Sequence, residues 1–414
     1  CEYSTLENVT IRGFRQTGVL DSLGWNNKYS DLTISMPSET DFVSSTGYGV
    51  QTKGSVGTVV RGLVAYGLRR AFDAHSLSGT SLAAISRDWV VKDFNVNGGT
   101  AWWPETAESN YGIGSHGSSE NGVIRDGFIS NTRNGITARG RSTHVSNVVF
   151  SGSVDQCVSL HENGAGLVVE NCKFDSMAYP NKLTAIADIE TLAGCARFVQ
   201  LGLDSGGIDA NCFYDLPIVI RGNVAKGVTE SFIHISQNTL TAKNIHASDN
   251  YFESVKNSGT VHMVGATAAT NLANSRFSNN RGKPIDGTLV DWSTNLTLAY
   301  QDGDQTFEVD GQRWAKISID TVAKLPRFAR AGARVLLSVM ADAGGSGLGR
   351  IVANNGTLVT YAGFPATWKA SATGSSLTGT TGTSGDITFG LESNGDLYVE
   401  NRSTGSYTFR FAVV

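Results

Sequence analysis

Five short segments of the chain end in a basic residue at the same position of a common pattern. Each segment has a small residue, an apolar residue and two small or polar residues, followed by one of the bases Lys53, His75, His116, Arg139 and His161. The steps between successive bases are 22, 41, 23 and 22 residues. If the segments stack, the bases form one column, which suits an anionic ligand. Repulsion within the column lowers the pKa of an imidazole, so that it can act as a base.

The column fits β-elimination if the ligand is a polysaccharide that contains a uronic acid. Arg139 would neutralise the sugar carboxylate and acidify the proton on C5, which His116 or His161 would remove. Tyr111, or the histidine that is not the base, would protonate the leaving oxygen. The first two bases of the column, together with Tyr111, would bind the substrate. This chemistry needs no pair of carboxylates.

Hydrolysis by two carboxyl groups is the alternative, and it needs them ~5 Å apart for retention or ~6.5–9.5 Å apart for inversion. Glu162 follows His161 at a position that is small after the other four bases. Asp73 lies two residues before His75, which places both on the same face of a strand. The other candidate acids lie near the pattern or in a later irregular region: Glu105, Glu108, Asp155, Asp188, Glu190, Asp204 and Asp209.

An insertion accounts for the long step between His75 and His116. The excess over one repeat predicts a loop that includes Thr100–Asn110, and insertions in solenoids tend to fall on the binding face. Trp102 and Trp103 in this loop would either stack on a sugar or anchor the loop against the strands. No GxSxG, HExxH or phosphate-binding glycine loop occurs, and a Ser-His-Asp esterase site built from distant residues stays open.

The elements that must position these residues are short strands in a repeat of about 22 residues, which is typical of a solenoid. A second strand recurs with Asp or Asn before its last apolar residues, as in Trp89–Phe94, Val123–Phe128 and Val145–Phe150. The predicted fold class is all-β: a right-handed parallel β-helix over residues 1–300, then a jelly-roll-like C-terminal β-sandwich over residues 301–414. Helical periodicity is confined to Thr321–Gly332.

Composition narrows the class of protein. The net charge of −4 and the pI of about 6.0 argue against a general nucleic-acid binder. No run approaches the 18 or so apolar residues of a membrane span. The five cysteines include no CxxC, so we expect neither a zinc site nor a disulfide framework, and Cys157 and Cys172 are predicted to be buried thiols of a protein that folds in a reducing cytoplasm. No cofactor or metal is expected.

The architecture resembles that of bacteriophage tailspikes, the receptor-binding depolymerases. The ending Gly395–Arg402 followed by a β-run to the last residue is similar to the close of many such spikes. The resemblance implies a homotrimer on the virion tail, made in the host cytoplasm and acting at the bacterial cell surface on capsule, O-antigen or exopolysaccharide. It also implies a separate N-terminal attachment domain, so that this chain would be a fragment. Catalytic residues differ among tailspikes, so none is carried over.

The expected function is therefore a depolymerase that recognises and cleaves an acidic bacterial surface polysaccharide, with β-elimination slightly favoured. The alternatives are an endo-glycosidase on the same scaffold, and a receptor-binding spike or adhesin that holds the glycan without cutting it. A secreted bacterial polysaccharide lyase is a further option.

Overall fold

The structure is a computed structural model. It describes residues 1–36, 47–77, 84–98, 111–116, 119–132, 134–151, 156–161, 164–175, 195–202, 216–235, 244–254, 261–266, 275–283, 290–293, 307–309, 312–317, 321–325, 335–341, 349–354, 357–361, 368–370, 377, 385–391, 397–402 and 407–413. The chain divides into two compact units. Unit 1 comprises Cys1–Gln237, Asp249–Thr267 and Arg281–Thr294, and unit 2 comprises Asn238–Ser248, Ala268–Asn280 and Asn295–Val414. The predicted division of roles between residues 1–300 and 301–414 stays a prediction.

Unit 1 is built from short strands. They are β1 (Thr5–Glu7), β2 (Thr10–Arg12), β3 (Thr17–Ser22), β4 (Lys28–Ser30), β5 (Thr33–Ser35), β6 (Tyr48–Lys53), β7 (Val59–Arg61), β8 (Val64–Tyr66), β9 (Arg70–His75), β10 (Ser86–Arg87), β11 (Val90–Asn97), β12 (Tyr111–Ser115), β13 (Ser119–Glu120), β14 (Val123–Ser130), β15 (Asn134–Ala138), β16 (His144–Ser151), β17 (Gln156–Leu160), β18 (Val168–Glu170), β19 (Lys173–Asp175), β20 (Cys195–Leu201), β21 (Ile218–Arg221), β22 (Val224–Ile235), β24 (Tyr251–Ser254), β25 (Val261–Ala266), β27 (Arg281–Lys283) and β28 (Val290–Ser293).

These strands stack in parallel, each on its counterpart one turn of the chain later. The first sheet runs β3, β6, β9, β12, β15, β17, β20, β22, β25 and β28. The second runs β1, β4, β7, β11, β14, β16, β18 and β21, and the third runs β2, β5, β8, β11, β14, β16, β19, β22, β24 and β27. Three parallel sheets wound by one chain form the parallel β-helix that the sequence predicts.

The turns between the second and third sheets hold the recurrent Asp and Asn residues. Asp93, Asp126 and Asn147 occupy equivalent positions there with φ of 54°, 57° and 54°. This left-handed conformation is tolerated by Asp and Asn, whose short side chains can bond locally. The Asn147 amide donates to the Asp126 carboxylate on the neighbouring turn at 3.1 Å. The Asp and Asn residues that recur in the second strand of the repeat therefore stack in these turns.

Aromatic rings fill the interior and explain the small residue in the repeated pattern. A Cβ on Gly135, in the first sheet, would lie 2.6 Å from the ring of Phe150. Two turns after Gly135, Phe198 occupies the equivalent position of the first sheet. Its ring centroid lies 6.4 Å from that of Phe150 and 4.9 Å from that of Phe232. A large side chain from one sheet therefore requires a small one opposite it, because the interior is close-packed.

Unit 2 contains β23 (Ile245–Ser248), β26 (Ser275–Ser278), β29 (Phe307–Val309), β30 (Gln312–Ile317), β31 (Thr321–Leu325), β32 (Val335–Ala341), β33 (Gly349–Asn354), β34 (Thr357–Tyr361), β35 (Trp368–Ala370), β36 (Ile387–Leu391), β37 (Leu397–Asn401) and β38 (Tyr407–Val413). Antiparallel pairing joins β30, β38, β32, β33 and β34. A second sheet has the order β31, β37, β36, β35. The helical interpretation of Thr321–Gly332 is wrong for its first part, which is strand β31 because it pairs with β37.

Two buried asparagines join neighbouring turns of the β-helix. The Asn223 amide donates to the Val169 carbonyl at 3.0 Å and to the Asn250 side-chain oxygen at 2.9 Å, while its own oxygen accepts from the Cys172 N–H at 2.9 Å. Asn250 in turn donates to the Ile220 carbonyl at 2.9 Å. Both side chains are essentially inaccessible, at 0% and 1% exposure. They satisfy backbone groups that bend out of the sheets.

We expect Asn223→Ala to lower the free energy of unfolding by about 2–3 kcal/mol, because it leaves buried donors and acceptors without partners. Guanidinium denaturation followed by circular dichroism would measure the change. Asn95→Ala is the matched control, since Asn95 lies exposed in β11 and its removal should cost less than about 0.5 kcal/mol. Equal losses in the two variants would show that the buried amide adds nothing.

Candidate functional site

The five bases of the repeated pattern lie at one edge of the first sheet, on consecutive strands. Lys53 pairs directly with His75, and the residues before His75 and His116 pair with each other. The N–H of His116 donates to the Ala74 carbonyl at 2.8 Å, and that of His161 donates to the Ala138 carbonyl at 2.9 Å. We call Lys53, His75, His116, Arg139 and His161 the basic column. Successive members of the column lie one strand apart, which is ~4.8 Å.

The accessible part of the basic column is shorter than the sequence predicts. The apolar residues of the pattern face the interior and have 0% exposure: Val50, Phe72, Ile113, Ile136 and Val158. Lys53, His75, His116 and Arg139 are half-buried on the opposite side. His161 was expected on the surface but has 0% exposure. Four bases therefore remain within reach of a ligand, and the fifth does not.

A buried ion pair lies beneath the column. Arg70 Nη1 is 2.7 Å from Asp73 Oδ1, and Gln51 donates to the other carboxylate oxygen at 3.2 Å. Asp73 has 0% exposure and Arg70 has 4%. Burial alone raises the pKa of Asp73, but Arg70 and then His116 outweigh it and hold that pKa well below its usual range. Asp73 is therefore an ionised carboxylate at every pH at which the protein would work.

Arg70 also sets the state of His116. Nη1 of Arg70 lies 2.7 Å from Nε2 of His116, whereas Asp73 Oδ1 is 3.4 Å from the same nitrogen. A guanidinium can only donate, so the shorter contact requires an Nε2 without a proton. The longer contact, with Asp73, would require a proton on Nε2. We assign the hydrogen bond to the shorter contact, with Arg70, because hydrogen bonds weaken steeply with distance. The Arg70 guanidinium therefore donates to Nε2 of His116.

His75 has the features of a general base. Its Nδ1 lies 2.7 Å from the Ser76 carbonyl, which can only accept, so Nδ1 carries the proton and Nε2 has the lone pair. Burial first, then the charge of His116 and last that of Lys53, lower the pKa of His75, against opposing effects of the Ser76 carbonyl and Asp73. The imidazole is therefore neutral at neutral pH. Its ring centroid is 4.0 Å from that of His116, and Nε2 has no hydrogen-bond partner among the described residues.

The contacts of Arg70 and Gln51 with Asp73 were not predicted from the sequence, because the side chains of β9 do not alternate strictly between the two faces of the sheet. Strict alternation places residues 70 and 73 on opposite faces, yet the structure pairs them. The same spacing of three recurs where Arg197 donates to Gln200 at 3.0 Å and where Ser231 contacts His234 at 3.2 Å. The sequence signal for this ion pair is an arginine at the first position of β9, three residues before Asp73.

A second polar cluster lies further along the same sheet. Arg197 bonds both oxygens of Glu230, at 3.0 and 3.3 Å. Nδ1 of His234 lies 3.3 Å from Glu230 and 3.2 Å from the Ser231 hydroxyl. A serine-hydrolase site needs the acid and the serine on different ring nitrogens. Because both contact Nδ1 here, this Ser-His-Glu group does not have the geometry of an esterase.

Several predicted site residues lie outside the described part of the chain: Trp102, Trp103, Glu162 and every other candidate acid except Asp73. Tyr111 begins β12 and pairs with Arg70 and Asn134 in the register. Within the described ranges, no three His, Cys, Asp or Glu side chains group as a metal site, and no helix is long and apolar enough to cross a membrane. Cys157 and Cys172 are buried thiols, as predicted.

Comparison with known proteins gives two kinds of structural likeness. No family model matches the chain, and no curated protein matches it. An alginate lyase from Paenibacillus sp. str. FPU-7 is similar with a TM-score of 0.43 at 14% identity, over 70% of this chain and 91% of the lyase. The tailspike protein of E. coli bacteriophage HK620, in complex with a pentasaccharide, has a TM-score of 0.41 at 11% identity, over 94% of this chain and 75% of the tailspike. The β-helix itself rests on the strand registers above.

We expect Asp73→Asn to destabilise the protein by about 3–5 kcal/mol, because it leaves the Arg70 charge buried without its carboxylate. The free energy of unfolding at pH 7 measures this. Asp93→Asn is the matched control, since Asp93 pairs with Arg61 at 3.1 Å but the two side chains are 46% and 64% exposed. Such a pair contributes at most about 1 kcal/mol.

The difference between wild type and Asp73→Asn should also depend on pH. The pKa of Asp73 is lowered in the folded state, so its contribution to stability is present above the unfolded-state pKa of about 3.9 and is lost as the pH falls below it. The gap should therefore be full at pH 7 and shrink below about pH 4. A gap that stays constant down to pH 3 would contradict the assignment.

Proposed function

We propose that this chain is a tailspike depolymerase that binds an acidic bacterial surface polysaccharide along the basic column and cleaves it by β-elimination. One observation carries the proposal: His75 is a neutral imidazole with an unprotonated Nε2. It belongs to a row of side chains that has a cation at each end. Lys53 lies on one side of the two imidazoles and Arg139 on the other. Four successive strands place these groups within about 14 Å of one another along the sheet.

The uniform sign of the column supports an anionic ligand. On the third sheet, Asp175, Lys226 and Glu253 pair in register and alternate in charge. On the second sheet, exposed arginines are matched by carboxylates, as in the ion pair of Arg125 with Asp126 at 2.9 Å. Like charges directly opposite each other destabilise a sheet. A column of bases therefore fits the binding of a polyanion.

The proposed reaction uses these groups in order. Lys53, next to His75, holds the carboxylate of the uronic acid that reacts and stabilises the charge that develops on it, and Arg139 binds a carboxylate further along the glycan. Nε2 of His75 takes the proton from C5, a C4–C5 double bond forms, and the bond from C4 to the glycosidic oxygen breaks. That oxygen keeps the electron pair and receives the proton carried by Nε2 of His75, which returns His75 to its neutral form beside His116. Asp73 and Arg70 act by positioning His116.

This assignment differs from the residues first chosen from the sequence. His161 is replaced as a base by His75, because a side chain with 0% exposure does not reach the substrate. Asp73 is a poor catalyst of hydrolysis, since it is buried, ion-paired and too weak a base to bind a proton. A hydrolase would therefore depend on Glu162 and a second acid. The homotrimer on a virion tail is part of the same proposal, and light scattering of the purified protein tests it.

The enzymatic test is absorbance at ~232 nm during digestion of polymannuronate, polygalacturonate, hyaluronan and acidic capsular polysaccharides. Wild type should shorten at least one of them with rising absorbance, which reports the unsaturated uronate. We expect His75→Ala to lower kcat about 10²–10⁴-fold, the usual contribution of a general base. His144→Ala is the control, since that side chain is 41% exposed on the second sheet and pairs with Glu170.

Other outcomes separate the alternatives. Shortening without absorbance means hydrolysis, and directs mutation to Glu162. A glycan that is bound and never shortened leaves the column as a receptor-binding surface. Activity that survives in His75→Ala removes this residue from the mechanism.

The pH profile gives an independent test. His75 must be unprotonated to act, and its pKa is lowered, so activity should stay high at neutral pH and fall only below the ordinary histidine value of about 6.5. Because the Lys53 charge helps to lower that pKa, Lys53→Met should move the acidic limb of kcat/KM to higher pH. Lys28→Met, at an exposed position of β4, should not. An unmoved limb in Lys53→Met would mean that another group sets it.

A further inference from the structure

Two amide side chains lie at the amino-terminal ends of adjacent strands of the first sheet, whereas the basic column lies at the carboxyl-terminal ends of the strands. Asn134 begins β15, Gln156 begins β17, and the two pair directly in register. Tyr111 precedes them on β12 and Arg197 follows them on β20. Neighbouring strands lie ~4.8 Å apart, so the two amides stand about that far from each other.

Both amides belong to the outer face of the sheet. The residue after Asn134 is Gly135, where a Cβ would meet the interior ring of Phe150. The residue after Gln156 is Cys157, which has 0% exposure. Asn134 and Gln156 occupy the register position of Arg70 and Arg197. Because those two arginines pair with Asp73, beside the basic column, and with the 40% exposed Glu230, we place both amides on the outer side of the sheet.

The oxygens of these two amides are buried and unsatisfied. Asn134 and Gln156 are only 4% and 5% exposed, and neither Oδ1 nor Oε1 has a hydrogen-bond partner among the described residues. Gln200, on the next strand and 3% exposed, is the contrast: its oxygen accepts from Arg197 at 3.0 Å and its nitrogen donates to the Gly202 carbonyl at 2.8 Å. Buried polar groups are almost always bonded. Two adjacent exceptions indicate donors that come from outside the chain.

We infer that Asn134 and Gln156 form a sugar-binding subsite for a neutral unit of the glycan whose acidic unit binds the basic column. The inference rests on the proposed function. Hydroxyl groups fit because each both donates and accepts, so they satisfy an amide in either orientation. Asn134 lies five residues before Arg139 on the same strand, about 16 Å at ~3.3 Å per residue. The subsite therefore selects among glycans without touching the reacting atoms.

The test compares stability with kinetics in Asn134→Ala and Gln156→Ala. Neither amide oxygen has a bond to lose in the free protein, so neither variant should unfold at a lower midpoint than wild type. On the polysaccharide of the 232 nm panel that wild type cleaves fastest, each should raise KM about 3–10-fold, the value of one or two neutral hydrogen bonds, with kcat within about twofold. Gln200→Ala is the matched control and should lower the unfolding midpoint, because it removes the acceptor of Arg197.

Each outcome bears on the inference. An unchanged KM in both variants overturns it, and so does a lowered midpoint with unchanged KM, which would mean an amide pair bridged by structural water. Wild type that binds an array of acidic capsular and O-antigen polysaccharides without cutting refutes only the reaction. In that case Kd replaces KM, and weaker binding by the two variants supports the subsite. Wild type that neither binds nor cuts overturns both proposals.

Discussion

The parallel register is the constraint on which the rest of this structure depends. Each strand of the β-helix lies on its counterpart with the same residues opposite one another, so any residue type that recurs in the sequence becomes a stack. The turns become rows of Asp and Asn, the interior becomes a row of aromatic rings, and the outer face becomes columns of one chemistry. Because stacking places like groups next to one another, the residue type at each repeat affects the stability of the whole stack.

The site shows how such a choice is stabilised. Lys53 and Arg139 are cations at the two ends of the accessible column, and the described part of the chain places no carboxylate within that column. The compensating charge lies one layer deeper, at Asp73, and Arg70 in turn neutralises most of it. This arrangement fixes the orientation of the His116 imidazole. A carboxylate placed in the column itself would have competed with an anionic ligand for the same cations.

The periodic features could be predicted from the sequence, and the non-periodic ones could not. The β-helix and the alignment of the five bases follow from spacing alone. The contact between Arg70 and Asp73 does not, because it depends on a change of phase within the strand. The burial of His161 does not either, since exposure is set by what packs over a residue and not by its place in the repeat. Glu162 and Trp102 lie in segments between the strands, where the period carries no information.

The contrast among the three sheets strengthens the functional argument. Opposite charges alternate along the third sheet, and turn carboxylates match arginines on the second, so this chain has ways to neutralise a stack where neutrality is favourable. On the first sheet it departs from them twice, with a column of one sign at one edge and a pair of unbonded amides at the other. Both departures cost stability in the free protein. A ligand that brings negative charge to one edge and hydroxyl groups to the other would remove both costs, and an acidic polysaccharide is the class of molecule that carries the two together.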